Sequence, residues 1–302
     1  GGHNVLSLLV SKEAKGLFDK AISQSGYTTT YSIKEAYKPE DSSNTSDASS
    51  SEIFSRLLRS IEYLKPENEI DINEQFKQER SDAIAEYPNY HEWQDLSKRW
   101  LARAFENKYM YNFSVMGRPV IQSPEDIVAT QELIWNVRPD LIIETGIAHG
   151  GSLVLSAGVL AQLDICDAIE SGETFDPSRS NRAVLGIDID IREHNRKAIE
   201  SHPMSSRISM IEGSSIDPGT VAKVSEFAAR YSRVLVMLDS NHTHEHVLAE
   251  LNAYAQLVSV GSYCVVFDTV VEDMPKTTFP DRPWGPGDNP KTAVWEYLKH
   301  TN

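Results

Sequence analysis

The 302-residue sequence contains only two cysteines, Cys166 and Cys264. They stand far apart, and neither belongs to a Cys-x-x-Cys or Cys/His spacing, so neither a disulfide framework nor a cysteine-held zinc is expected. That scarcity suits a reducing compartment, and the expected location is the cytoplasm. No apolar run reaches the ~18 residues of a membrane helix. The N-terminus lacks a basic segment followed by an apolar one and a cleavage site. Neither a membrane span nor a secretory leader is therefore expected. Positive charge is scarce too: 29 Lys and Arg against 44 Asp and Glu give a net charge of −15. A phosphate backbone needs a basic face, so nucleic acid is not an expected partner. What is present is an ordinary globular composition, 40% hydrophobic and 24% charged, on a chain long enough for two domains.

Residues 1–38 carry an amphipathic pattern that includes Val5, Leu6, Leu8, Leu9, Leu17, Phe18 and Ile22. Residues 39–52 are rich in Ser and Asp and hold no large apolar side chain, the composition of a linker. Residues 53–64 read as a helix, and 71–112 as two helices broken near Pro88. The signal then sharpens. Ser123-Pro124-Glu125-Asp126 offers an N-cap, a proline at the first helical position and acids in the first turn; its helix ends before Pro139. Strands expected at 141–143, 184–187, 208–211, 234–238 and 263–267 alternate with helices at 152–163, 192–200, 220–231, 244–257 and 292–298. Such alternation predicts an α/β fold with a parallel, doubly wound, Rossmann-like sheet. The strands are continuous apolar runs, as expected when both faces are covered. The polar stretch 164–181 reads as an inserted loop. The expected organisation is a helical N-terminal appendage with linker in 1–65, a helical connector in 66–116 and the α/β domain in 117–302.

Chemistry gathers at the strand ends. Glu144-Thr145-Gly146-Ile147-Ala148-His149-Gly150-Gly151-Ser152 follows a strand and opens a helix. Glycines there let backbone approach a ligand, and ligands of open α/β sheets bind at the carboxyl ends of strands. Dinucleotide sites use a glycine turn as well, but Glu144 would repel a pyrophosphate, and the spacing departs from G-x-G-x-x-G. An acid suits the ammonium and sulfonium of S-adenosylmethionine. Glu144, Gly146 and Ser152 are therefore candidate cofactor contacts, against the plainer reading of a structural turn. Asp188, ending the second strand, can accept ribose hydroxyls, or can merely cap the next helix. Ser214, after the third strand, is a weak candidate for the adenine side; a bland turn fits equally well.

The fourth strand ends in Leu238-Asp239-Ser240-Asn241-His242-Thr243-His244-Glu245-His246. Asp239 stands where a carboxylate facing cofactor or cation belongs. Three alternating histidines suggest zinc, but no cysteine assists and the helix start is uncertain at His242, so a hard cation on carboxylates suits the segment better. His242 is a candidate base for a substrate hydroxyl; a solvated histidine near a helix start is the plain alternative. Asp268 ends the next strand and could share a Mg²⁺ with Asp239, lowering the pKa of a coordinated hydroxyl. The Gly/Pro-rich stretch 283–290 is either a cover for the substrate or a surface loop.

These residues resemble the family named for cephalosporin hydroxylase, which includes rhamnosyl O-methyltransferases. The resemblance runs from about Gly117 to Leu298 and is most specific in Ile121-Gln122-Ser123-Pro124-Glu125-Asp126, Asp140-Leu141-Ile142-Ile143-Glu144-Thr145-Gly146, Gly186-Ile187-Asp188-Ile189-Asp190 and the strand ending at Asp239. It implies a methyltransferase core that binds S-adenosylmethionine, often with Mg²⁺, a small hydroxylated acceptor, and homo-oligomers in some members. It also implies a metal site of one Asp and a following Glu-Asp pair. Asp239 matches the first; the pair position reads Phe267-Asp268, and Glu272-Asp273 matches the pair only five residues later. Gly1-Gly2-His3-Asn4-Val5 and Lys15 to Gly26 resemble the segment just after the nucleophile of type-B carboxylesterases. The serine that precedes that Gly-Gly pair is not in this sequence, so no esterase activity is expected of it. Two rivals stay open: an NAD(P)-dependent oxidoreductase on the same fold, and a binding protein that has lost catalysis, for which Phe267 is the best argument.

Overall fold

A computed structural model describes residues 72–177 and 179–301. The amphipathic pattern of residues 1–38, the linker, the helix expected at 53–64 and the esterase-like segment lie outside the described residues. The chain divides between Asn89 and Tyr90. Before that point the described part is helix α1 (Ile72–Glu86) and a short turn of 3-10 helix through Pro88. After it, α2 (His91–Glu106) leads into a hairpin of β1 (Phe113–Val115) and β2 (Arg118–Val120). The hairpin was not anticipated. Its turn residues Met116 and Gly117 both have positive φ, 46° and 84°, the signature of a tight two-residue connection.

The α/β body follows: α3 (Pro124–Val137), β3 (Leu141–Thr145), α4 (Gly151–Ser171), β4 (Ala183–Asp188), α5 (Glu193–Glu200), β5 (Ile208–Glu212), α6 (Pro218–Ala228), β6 (Val234–Leu238), α7 (His244–Tyr254), β7 (Cys264–Val266) and α8 (Pro290–Thr301). All five strands run parallel, in the order β5-β4-β3-β6-β7. The doubly wound expectation holds. Alternate residues of each strand feed opposite faces. Ile142, Val184 and Leu235 pack with Leu153, Leu160 and Ile199 on one face. Leu141, Ile143, Leu185 and Val236 pack with Val224, Leu251 and Tyr254 on the other.

Two expectations change. Helix α4 continues eight residues past 163, taking in much of the supposed inserted loop. Its polar extension is held from the side: Asp164 accepts hydrogen bonds from Arg182 at 2.6 Å and Arg207 at 2.8 Å. Burial raises the Asp164 pKa, but bonds from Ser180, Arg207 and Arg182 outweigh it and hold the carboxyl below its ordinary value. The same 21-residue helix contains an 18-residue stretch of mean hydropathy 1.6, long and apolar enough to cross a membrane by those measures. No such segment was expected, because small and polar residues interrupt the run. More than half of its most apolar stretch is buried within the protein, as the central helix of an α/β core must be.

Candidate active site at the carboxyl ends of the strands

The chain leaves β3, builds β4 and β5 on one side, then returns to build β6 and β7 on the other. Ligands of such sheets bind where the winding reverses. Here that point lies between the ends of β3 and β6. The contact is close: a Cβ on Gly146 would lie 2.1 Å from the Asp239 carbonyl oxygen. Gly146 also has φ +91°, so only glycine fits both demands.

Glu144 is buried in β3, 2% exposed. One carboxylate oxygen accepts the Ser152 hydroxyl from the first turn of α4; the other, Oε2, is buried with no partner among the described residues. Burial pushes its pKa up to about 7, with the Ser152 hydrogen bond working against the rise. A half-partnered buried carboxylate is unstable in the absence of a donor or cation. Asp188 ends β4 as expected. Its Oδ2 accepts the Ile147 and Ala148 amides at 2.8 and 3.2 Å, and its Oδ1 accepts the Asp190 amide at 3.1 Å. A carboxylate has about four lone-pair sites, so Asp188 shapes the glycine turn and keeps room for about one ribose hydroxyl rather than two. Ser214 is half-buried beyond β5. Its neighbour Ser215 is tied down by its hydroxyl to His246 Nε2 at 3.0 Å, and its carbonyl accepts the Tyr254 hydroxyl.

Asp239, His242 and Asp268 come together, each offering one ligand atom, all within 4.8 Å of one another. His242 Nε2 lies 3.2 Å from Asp268 Oδ2, and its ring meets the edge of Trp284 at 4.8 Å between centroids. Burial pushes the Asp239 carboxyl well above the ordinary carboxylate range, followed by the charges of Asp268 and Glu144; a hydrogen bond from Gln122 opposes this. The literal Glu-Asp pair is elsewhere. Glu272 Oε2 accepts the Gly287 amide at 2.7 Å and the Asn289 side-chain amide, and Asp273 pairs with Lys291 at 2.7 Å. Glu272 thus pins the 283–290 loop, which Asp288 also ties to the His244 amide at 2.7 Å, while Asp273 holds the first turn of α8 just beyond it. The histidines diverge: His244 bonds Thr292 at 2.8 Å and Glu296 at 3.1 Å, while His246 joins Ser215 and Ser240 beside Glu250. A shared zinc is excluded by that geometry.

Two residues in the site went unread as such. Gln122 is 7% exposed, and its Oε1 has no partner among the described residues. The Asp126 carboxyl lies close enough to Asp268 for that charge to raise its pKa, after burial and against the Ser123 hydrogen bond. Both sit in the stretch 121–126, which carries the family resemblance and the helix start but gives no site role by itself. A glutamine just before the Ser123 cap, inside that stretch, was the available signal.

Four carboxyls thus converge on one end of the sheet. Unpartnered Glu144 Oε2 and Gln122 Oε1 fit a ligand that brings an ammonium group, and Asp239 with Asp268 suits a divalent cation.

Residues 107–302 match the sequence profile of the rhamnosyl O-methyltransferase/CmcI family. The rhamnosyl O-methyltransferase of Mycobacterium tuberculosis is 29% identical over 199 residues, 65% of this chain and 67% of that protein. Its counterpart from Mycobacterium leprae is 26% identical over 197 residues, 65% and 72% of the two chains. Among solved structures, a TDP-rhamnose 3'-O-methyltransferase of calicheamicin biosynthesis superposes with a TM-score of 0.39 at 18% identity, covering 58% of this chain and 70% of that one. With its profile match spanning well over half the sequence, the chain belongs to the rhamnosyl O-methyltransferase/CmcI family, and its α/β body is a methyltransferase domain.

Proposed function

We propose that this domain transfers a methyl group from S-adenosylmethionine to a hydroxyl oxygen of a sugar or another small hydroxylated metabolite. The observation that carries the reading is Glu144: a buried carboxylate with an unpartnered oxygen, beside a glycine turn, at the reversal point of the sheet. The mycobacterial relatives, named as rhamnosyl O-methyltransferases, support a sugar acceptor.

When bound, the cofactor supplies a methyl group on a sulfonium, an electrophile that needs only an aligned oxygen. Glu144, steadied by Ser152, would accept from its ammonium. Gly146 lets the turn lie close. Asp188 would offer its remaining acceptor site to the ribose, and Ser214 would face the adenine. Asp239 and Asp268 face the acceptor and would hold Mg²⁺, which would lower the pKa of a coordinated hydroxyl. His242 receives the acceptor's proton. In the tautomer that donates Nε2–H to Asp268, Nδ1 keeps the lone pair for that task. Most of the acceleration then comes from alignment. Phe267, which stands where a second acid was expected, packs against the core, so Asp239 and Asp268 are the two carboxylates left for the cation.

The test is calorimetric titration with S-adenosylhomocysteine, with and without Mg²⁺, on the wild type and Glu144→Ala. Micromolar binding lost in the variant supports the reading. Binding of a nicotinamide cofactor in its place, seen as a change in NADH fluorescence, would overturn it.

A further inference from the structure

The turn after β3 is an awkward piece of backbone. Gly146, Ala148 and Gly150 all have positive φ, 91°, 45° and 81°. For Ala148 that is a conformation L side chains rarely adopt, and it persists only where the surroundings hold it. Asp188 holds the turn from below by accepting two of its amides. The carbonyls on the other side are held as well. Arg118 Nε donates to the His149 carbonyl at 3.0 Å, and Arg118 Nη2 donates to the same oxygen. Asn195 Nδ2 donates to the Ala148 carbonyl at 2.9 Å. The two side chains are joined, Arg118 Nη2 to Asn195 Oδ1 at 3.1 Å.

The provenance of these groups is informative. Arg118 opens β2 of the unanticipated hairpin, and Asn195, 4% exposed, sits in the first turn of α5. The hairpin is seated against the same turn: a Cβ on Gly151 would fall 2.3 Å from the Pro119 carbonyl oxygen. Arg118 spends its donors on a carbonyl and an amide oxygen, with no carboxylate among its partners in the described residues. In a chain of net charge −15, an arginine turned away from acids is placed for the backbone it grips.

We propose that Arg118 and Asn195 are positioning residues that hold the 146–150 turn in the conformation that receives the cofactor. The inference rests on the methyltransferase reading of this site. Apparent affinity scales with the fraction of protein whose turn is competent. Loosening the clamp lowers that fraction before any contact to the cofactor is touched.

The experiment is calorimetry with S-adenosylhomocysteine at low temperature on the wild type, Arg118→Ala, Arg118→Lys, Asn195→Ala and the double alanine variant, with hydrogen exchange on each free protein. Each alanine variant is expected to bind about tenfold more weakly or worse, since a competent fraction of about one tenth raises Kd about tenfold. The double variant should lose little beyond the stronger single, because both act on one turn. Arg118→Lys, which keeps a donor, should recover part of the loss. Exchange should quicken at 147–151 and not across the sheet. Wild-type binding with both alanine variants within about twofold of it overturns the clamp. So does lost affinity that tracks faster exchange throughout the domain, which is the mark of a merely structural role. A wild type that does not bind S-adenosylhomocysteine at all defeats the methyltransferase reading itself, and the clamp falls with it.

Discussion

Replacing Glu144 with glutamine should make the free protein more stable and the cofactor weaker, with both effects set by pH. The native carboxyl holds its proton up to about 7 against an ordinary value of 4.5. Between those limits the unfolded chain has released the proton and the native state has not, so native stability falls as pH rises through the window and levels off above it. The gap is worth about 3 kcal/mol for one carboxyl. Glu144→Gln keeps an oxygen for the Ser152 hydroxyl and removes the ionisation. Near pH 4.5 the two proteins should be equally stable; by pH 8 the variant should lead by up to about 3 kcal/mol. Binding runs the opposite way. An ammonium ligand needs the ionised carboxylate, so wild-type affinity for S-adenosylhomocysteine should weaken below pH 7 by up to about tenfold per pH unit. The variant should bind weakly at every pH, with no slope. Urea unfolding and calorimetry across pH 5–8 measure both quantities. A variant that is less stable than wild type at pH 8, or that binds with wild-type affinity and slope, would refute the reasoning.

Gly146→Ala places a Cβ 2.1 Å from the Asp239 carbonyl oxygen at φ +91°; a loss of about 3 kcal/mol or more should appear in denaturant unfolding, together with lost cofactor binding. His242→Gln should leave S-adenosylhomocysteine affinity unchanged while turnover, followed by mass spectrometry with a methyl rhamnoside, drops about a hundredfold or more. Asp268→Asn tolerates the left-handed backbone there, φ 54°, as asparagine does. It removes a charge that pushes up the carboxyls of Asp239 and Asp126. The free variant should therefore gain about 1 kcal/mol near neutral pH, and any thermal stabilisation of wild type by Mg²⁺ should shrink; an unchanged response would place the cation elsewhere.

Much of the fold was legible because burial writes itself into sequence. The strands β3, β4 and β6 are continuous apolar runs, and Ser123-Pro124 announces α3 with its cap in place, the Ser123 hydroxyl accepting the Asp126 amide at 3.3 Å. What escaped depended on partners far along the chain. The last turns of α4 read as loop because Asp164 and Asp167 are polar; they stay helical against Arg138, Arg182 and Arg207, none of which local composition can reveal. The β1–β2 hairpin has three-residue strands, and Pro119 argues against a strand at all. In the site, spacing located Glu144, Asp188, Asp239 and Asp268 at strand ends but could not say which were already occupied. Asp188 looks like a pure ligand acceptor until the Ile147 and Ala148 amides are seen on it. The alternating histidines look like one site until the loop before α7 separates His242 from the helical pair.

The arrangement carries a cost that its function explains. Glu144, Asp239 and Asp126 all have carboxyls pushed above their ordinary values, by burial first and, for the two aspartates, by one another's neighbours next. A sheet selected for stability alone would place apolar or amide side chains at Glu144 and Asp239. The sheet instead fixes Glu144 and Asp239 there: β3 and β6 are paired along their full lengths, residue 141 with 234 through 145 with 238, and the close approach at Gly146 sets the two strand ends side by side. A free protein strained in this way gains most from whatever neutralises the cluster. Positive ligands then bind with the relief of that repulsion added to their direct contacts, so the same carboxyls that weaken the empty site select an ammonium-bearing cofactor and a cation over a phosphate-bearing dinucleotide.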